Sequence, residues 1–249
     1  MKKFGIIIGF TLLFIGCQAD LTNDNQIGGN NSLTLSISGS RTSLGEKVGD
    51  IYPIYWCEED KIAVNGIVSD PLAEEFDGKA AASFEFELEP GQELTYPRSI
   101  VYPAPAEGES GVTFPATQVY KAGNIADGMA PLYGYAAEEG EQLTLKHLTG
   151  VLKFAVKGDV TLSSMTVKAE SGAIAGSYDI NFETGELTAQ EGKTSEQITM
   201  SFGDGLVLNA EEATPIYITV PAGSYGAVRI TLATTDAKKM TVKLNTNDA

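Results

Sequence analysis

The chain has 249 residues, with 33 acidic and 17 basic side chains and a formal net charge of −16. That excess repels a phosphate backbone, and no local basic cluster offsets it, so nucleic acid is not expected as a partner. Hydrophobic residues make up 43% and charged residues 20%, which excludes a disordered tail and leaves room for one large all-β unit or two smaller domains.

Lys2 and Lys3 precede the apolar run FGIIIGFTLLFIG, residues 4–16, which ends at Cys17. These 13 residues are too few to cross a bilayer core of ~30 Å as a helix, but they suit the apolar centre of a secretory leader. A cysteine directly after Ile15-Gly16, followed by the polar QADLTNDNQ, resembles the lipobox of bacterial lipoproteins. Phe14 departs from the leucine usual at its place in that pattern. The resemblance implies that residues 1–16 are a removed signal peptide and that Cys17 is the lipidated first residue of the mature chain. Loss of Lys2 and Lys3 would move the charge from −16 to −18. A plain secretory leader with an incidental cysteine is the competing reading. Cys57 is the only other cysteine, so neither a disulfide framework nor a cysteine metal site is expected. Its apolar, aromatic neighbours suggest a small buried hydrophobe.

Residues 17–31 have almost no apolar periodicity and read as a flexible tether. Period-two runs follow. Leu33, Leu35 and Ile37 alternate with Thr34, Ser36 and Ser38, and Phe84, Phe86 and Leu88 with Glu85, Glu87 and Glu89. Leu152, Phe154 and Val156 form another apolar face, as do Ile216-Ile218-Val220, Val228-Ile230-Leu232 and Met240-Val242-Leu244. Each predicts a strand in a sheet covered on one side. Asn65-Gly66 and Thr184-Gly185 predict hairpin turns between such runs. Helical signal is confined to PLAEEF, residues 71–76, with Asp70 as a possible cap. The 27 glycines and 10 prolines fit many short strands. An all-β protein of two tandem antiparallel β-sandwiches is expected, one over residues 32–140 and one over residues 141–249, with the break in the charge-rich EEGEQ.

No catalytic constellation emerges, and no enzyme is expected. His147 is the only histidine, so no multi-histidine metal site exists, and it reads as structural near a strand end. No nucleophile elbow surrounds a serine and no phosphate-binding glycine loop follows a strand. The carboxylates Glu58, Glu59 and Asp60 read as solvated loop residues. DLTNDN, residues 20–25, does not fit the spacing of an EF-hand loop. No cofactor and no metal are expected.

Two stretches carry a family likeness. YPIYWCEEDKIAVNG, residues 52–66, sets Trp56, Asp60, Ile62 and Val64 in a W-x3-D-x-I-x-V pattern, and KHLTGVLKFAVKG, residues 146–158, leads from His147 into an alternating strand. With the lipobox and the strand ahead of Arg41, they resemble the fimbrillin family of outer-membrane lipoproteins, over most of residues 17–249. The resemblance implies two β-sandwich domains of transthyretin-like topology, a lipid anchor in the outer membrane, and assembly into a pilus (fimbrium) with other subunits by strand addition. It further implies a processing protease that cuts between Arg41 and Thr42. The cut would release the strand of Leu33, Leu35 and Ile37 and open a groove for a neighbour's strand.

Arg41 is one of three arginines and sits among small residues that let an extended backbone enter a protease cleft. Arg98 follows Pro97 and Arg229 lies within a strand pattern, so both are expected to be less accessible. Burying the three apolar residues of the first strand is worth roughly 5–9 kcal/mol at the usual 1.5–3 each, and its loss leaves an apolar trench with unpaired backbone. The alternative is a permanent first strand with Arg41 in a solvated loop. KKMTVKLNTNDA closes the sequence with a polar stretch and little to donate, which implies either a truncated second domain or a tip or capping position. Ten tyrosines and one tryptophan leave room for a face that binds a host glycan or protein. A surface glycan-binding lipoprotein that keeps its anchor is the alternative function.

Overall fold

A computed structural model describes residues 8–13, 32–36, 55–141, 143 and 145–245. In chain order the strands begin with β1 (Ile8–Leu13), β2 (Ser32–Ser36), β3 (Ala63–Val64), β4 (Ile67–Val68), β5 (Ala81–Glu85) and β6 (Arg98–Tyr102). They continue with β7 (Val112–Phe114), β8 (Thr117–Val119), β9 (Leu132–Ala136), β10 (Lys146–His147), β11 (Thr149–Val156) and β12 (Thr161–Ala169). The last six are β13 (Ala175–Ile180), β14 (Leu187–Ser195), β15 (Gln197–Val207), β16 (Thr214–Pro221), β17 (Ala227–Thr234) and β18 (Lys239–Asn245). The described residues therefore form an all-β, sandwich-like fold, as the alternating runs predict.

Two main cores divide the apolar residues. The first gathers Leu33 and Leu35 of β2 and Phe84 of β5 against Val64, Ile100 and Leu132, with Trp56 among them. It lies between the pair β2-β5 and a five-stranded sheet ordered β10-β9-β6-β3-β4. The second core lies between a three-stranded sheet, β1-β11-β16, and a five-stranded sheet, β18-β17-β12-β15-β8. Leu152, Phe154, Ile216 and Ile218 of the smaller sheet meet Met165, Ile198 and Ile230 of the larger one. Alternation explains the sides: in β17 the pattern puts Val228, Ile230 and Leu232 inward and Arg229 outward.

The first core runs on through Leu143 and Leu145, and β10 pairs with β9, whereas the second core takes up β11. The change of core thus falls near residue 148, a few residues beyond the charge-rich break. Residues 112–119 cross between the halves: β7 pairs with β13, and β8 pairs with β15 in a parallel register, Thr117 opposite Thr199. An all-antiparallel chain is therefore not what forms. A smaller cluster of Val101, Val112, Phe114, Tyr133, Leu148 and Tyr178 fills the junction. Gly185 permits this closeness, since a Cβ there would meet the Tyr133 hydroxyl at 2.1 Å.

Asn65 and Gly66, at φ 50° and 81°, make the expected two-residue turn between β3 and β4. Gly185, at φ 77°, turns the β13–β14 hairpin. PLAEEF forms only one 3-10 turn at Glu74–Phe76, preceded by Ala73 with no side-chain cap, so Asp70 does not cap it. The Asp70 N–H instead donates to Glu85 O, because so short a segment gains more from the adjoining strand than from a helix nucleus. Ile8–Leu13, read as part of a leader, is the strand β1 and runs antiparallel along β11 from Ile8 opposite Val156 to Leu13 opposite Val151.

Candidate strand-exchange site

The first core is closed on one side by β2. Among the described residues this strand has a single neighbour, β5, with Leu33 opposite Phe84 and Leu35 opposite Ala82. Both leucines are buried, at 4% and 1% exposure, while Thr34 hydrogen-bonds the Ser83 hydroxyl at 3.3 Å on the outer face. Burial of two leucines contributes roughly 3–6 kcal/mol, an upper figure because the unfolded chain is already partly compact. Removal of β2 would break one ladder only, leave β5 without a strand neighbour among the described residues, and open the core. That combination of one-sided pairing and deep apolar insertion is what a removable strand requires.

An aromatic cluster fills the core beneath β2. Trp56 is fully buried and meets Phe84 edge-on at 4.9 Å and Tyr102 at 5.4 Å. Asp60 organises the turn that carries this tryptophan: its carboxylate accepts the Cys57 N–H at 2.8 Å and the Tyr102 hydroxyl at 2.7 Å. Burial pushes the Asp60 carboxyl up to about 6, aided by the nearby charges of Asp127 and Asp77 and opposed by its two hydrogen bonds. The same burial, with Asp60 beside it, holds the Tyr102 hydroxyl well above its ordinary range. The W-x3-D-x-I-x-V pattern is thus a structural unit, with Trp56, Ile62 and Val64 in the core and Asp60 fixing the turn. Asp60 is not the solvated loop carboxylate expected of it. Cys57 is also a correction: it is half-buried, not core, and its Sγ lies 3.7 Å from Asp127 Oδ1.

Ile37, the processing pair Arg41 and Thr42, and the lipidation residue Cys17 lie outside the described residues. The other two arginines are engaged. Arg98 donates from Nε and Nη2 to Leu94 O at 3.0 and 2.8 Å and stacks over Tyr96 at 4.4 Å. Arg229 exposes its side chain toward Glu170, but its backbone lies in β17, paired on both sides by β12 and β18. His147 ends the two-residue strand β10, in keeping with a place at a strand end. Among the described residues no group of three or more His, Cys, Asp or Glu side chains is placed to hold a metal ion.

Gln118 was not singled out by any sequence signal. Its side chain is buried at 2% exposure and pairs with the backbone of Thr219, donating to the carbonyl at 2.7 Å and accepting from the N–H at 3.1 Å. It thereby occupies part of the outer edge of β16 as a neighbouring strand would. Only a contact 101 residues away reveals it.

Fold and site together define an all-β, sandwich-like protein whose first core is closed by an edge strand. No protein-family model matches the chain, and no curated protein matches it either.

Proposed function

We propose that the chain is a structural and adhesive subunit of a cell-surface pilus, exported as a lipoprotein and assembled by strand exchange. In this reading residues 1–16 direct export, Cys17 carries the lipid in the outer membrane, and each half is a β-sandwich of transthyretin-like topology. A protease cuts between Arg41 and Thr42, the strand of Leu33, Leu35 and Ile37 leaves, and the strand of a neighbouring subunit takes its place. The observation that carries the proposal is the first strand itself: among the described residues β2 pairs on one side only, and it buries Leu33 and Leu35 in the first core.

The placement of the two described arginines supports the cleavage step. Arg98 is tied to Leu94 O and Arg229 sits in a doubly paired strand, so a trypsin-like protease meets resistance at both. The alternative, a glycan-binding lipoprotein, needs aromatic rings on the surface, and Tyr55 is the one exposed aromatic among the exposed large hydrophobics of the described residues.

Limited trypsin digestion tests the proposal. A single preferred cut after Arg41, followed by formation of oligomers, is the expected result. Resistance to trypsin at Arg41 with a persistent monomer would favour the glycan-binding reading, since residues 17–40 contain no other lysine or arginine.

A further inference from the structure

The three-stranded sheet over the second core has two outer edges, and they are treated differently. At β16 the edge is blocked from within, because the buried amide of Gln118 satisfies both backbone groups of Thr219. At β11 the edge is covered, among the described residues, by β1 alone. The pairing is continuous over six positions, and it sets Ile8, Phe10 and Leu12 opposite Val156, Phe154 and Leu152. Those three β11 side chains are all buried at 2% exposure or less and belong to the second core. Between them in sequence, Lys153 is half-buried and reaches over the Tyr217 ring at 5.6 Å.

If residues 1–16 are removed, as the proposed function requires, β11 loses this neighbour. A bare strand edge directly over an apolar core is a template for adding another strand. We propose that the outer edge of β11 is a second acceptor site, distinct from the place of β2, and that an extended segment of another protein subunit fills it. The register of β1 describes the occupant: about six residues, antiparallel to Val151–Val156, apolar opposite Leu152, Phe154 and Val156, and tolerant of a polar residue opposite Lys153. The leader's own apolar stretch is a stand-in for that segment. This inference rests on leader removal, and it concerns a different core and a different strand from release at Arg41.

Hydrogen exchange with mass detection tests it on the mature protein recovered from cells expressing the full chain. The probe is a synthetic peptide of residues 5–13, GIIIGFTLL, flanked by lysines for solubility. In the untreated protein the amides of β11 that point away from β16 should exchange quickly, while those of β12, paired on both sides, stay protected. Peptide addition should slow the fast β11 amides by about tenfold or more, and a peptide carrying Phe10→Asp and Leu12→Asp should not. Protection of all β11 amides without peptide, in a protein lacking residues 1–16, would overturn the second site because the chain then covers the edge itself. Fast exchange that the peptide leaves unchanged would overturn it as well. Both results leave the strand-release reading standing. An intact mass that still includes residues 1–16 would instead overturn the export step and this inference together.

Discussion

The first and second cores are closed by different means. In the second, β12 is an interior strand of 9 residues, with β15 on one side and β17 on the other. In the first, β3 and β4 have 2 residues each, and β2 is a 5-residue strand with one neighbour among the described residues. Long ladders hold most of the second core, and the Gln118 amide on the Thr219 backbone completes the outer edge of β16. The first relies on side chains acting at a distance: Asp60 on Tyr102, Asn65 on Ser99 and Thr95, and two leucines from β2. A core assembled in that way can lose a strand and keep its remaining wall, which suits exchange. An interior strand paired on both sides, such as β12, cannot leave in this way.

The largest test of this contrast is the double variant Leu33→Ala/Leu35→Ala. It should lower stability by roughly 4–10 kcal/mol if the two leucines behave as ordinary core residues, read by urea unfolding. Leu232→Ala in the second core should cost roughly 2–5 kcal/mol, comparable per residue. Cleavage between residues 36 and 55 should separate the cores: it should loosen the first and leave the second unchanged by hydrogen exchange.

Gln118→Ala should cost about 2–4 kcal/mol, because it strips partners from both the buried N–H and the carbonyl of Thr219. Thermal unfolding measures it. A cost below about 0.5 kcal/mol would mean that the amide does not guard the β16 edge.

Asp60 gives a pH-dependent prediction. Its folded value of about 6 lies above the ordinary 3.8, so the folded state binds the extra proton between those values. The contribution of this group is therefore most favourable below about pH 4, is lost as pH rises through 6, and amounts to roughly 2–3 kcal/mol. Asp60→Asn should flatten that part of the stability-against-pH curve and leave the protein no less stable at pH 8. A curve that keeps its slope would contradict the burial argument.

Asn65→Ala should cost about 1–2 kcal/mol, since it removes bonds to Ser99 and Thr95 and places alanine at φ 50°. The smallest effect belongs to Glu170, which pairs with Lys243 at 2.7 Å and with Arg229 at 3.9 Å on the exposed face of β17 and β18. Glu170→Ala should change stability by less than about 1 kcal/mol, and 1 M salt should erase the difference.

Much of the fold was legible because period-two patterning reports one covered face directly. The runs at Leu152-Val156, Ile216-Val220 and Val228-Leu232 each became a strand with those residues inward. Asn65-Gly66 was legible because few sequences favour positive φ at two adjacent positions. The parallel pairing of β8 with β15 was not, since a 3-residue strand carries too little periodicity to show its partner. The role of Asp60 was hidden by its neighbours Glu58 and Glu59: only Tyr102, far along the chain, distinguishes it from a solvated acid. At the candidate site, Leu33 and Leu35 were readable as inward residues, whereas the one-sidedness of β2 depends on which strands neighbour it, and that is a tertiary fact.

Release of the first strand is the central claim, and the first residue of the surface-assembled protein tests it most directly. Protein sheared from cells and read by mass spectrometry should begin at Thr42, with β2 absent. A chain that begins at acylated Cys17 and retains Leu33 and Leu35 would contradict strand release and return Arg41 to an ordinary loop residue.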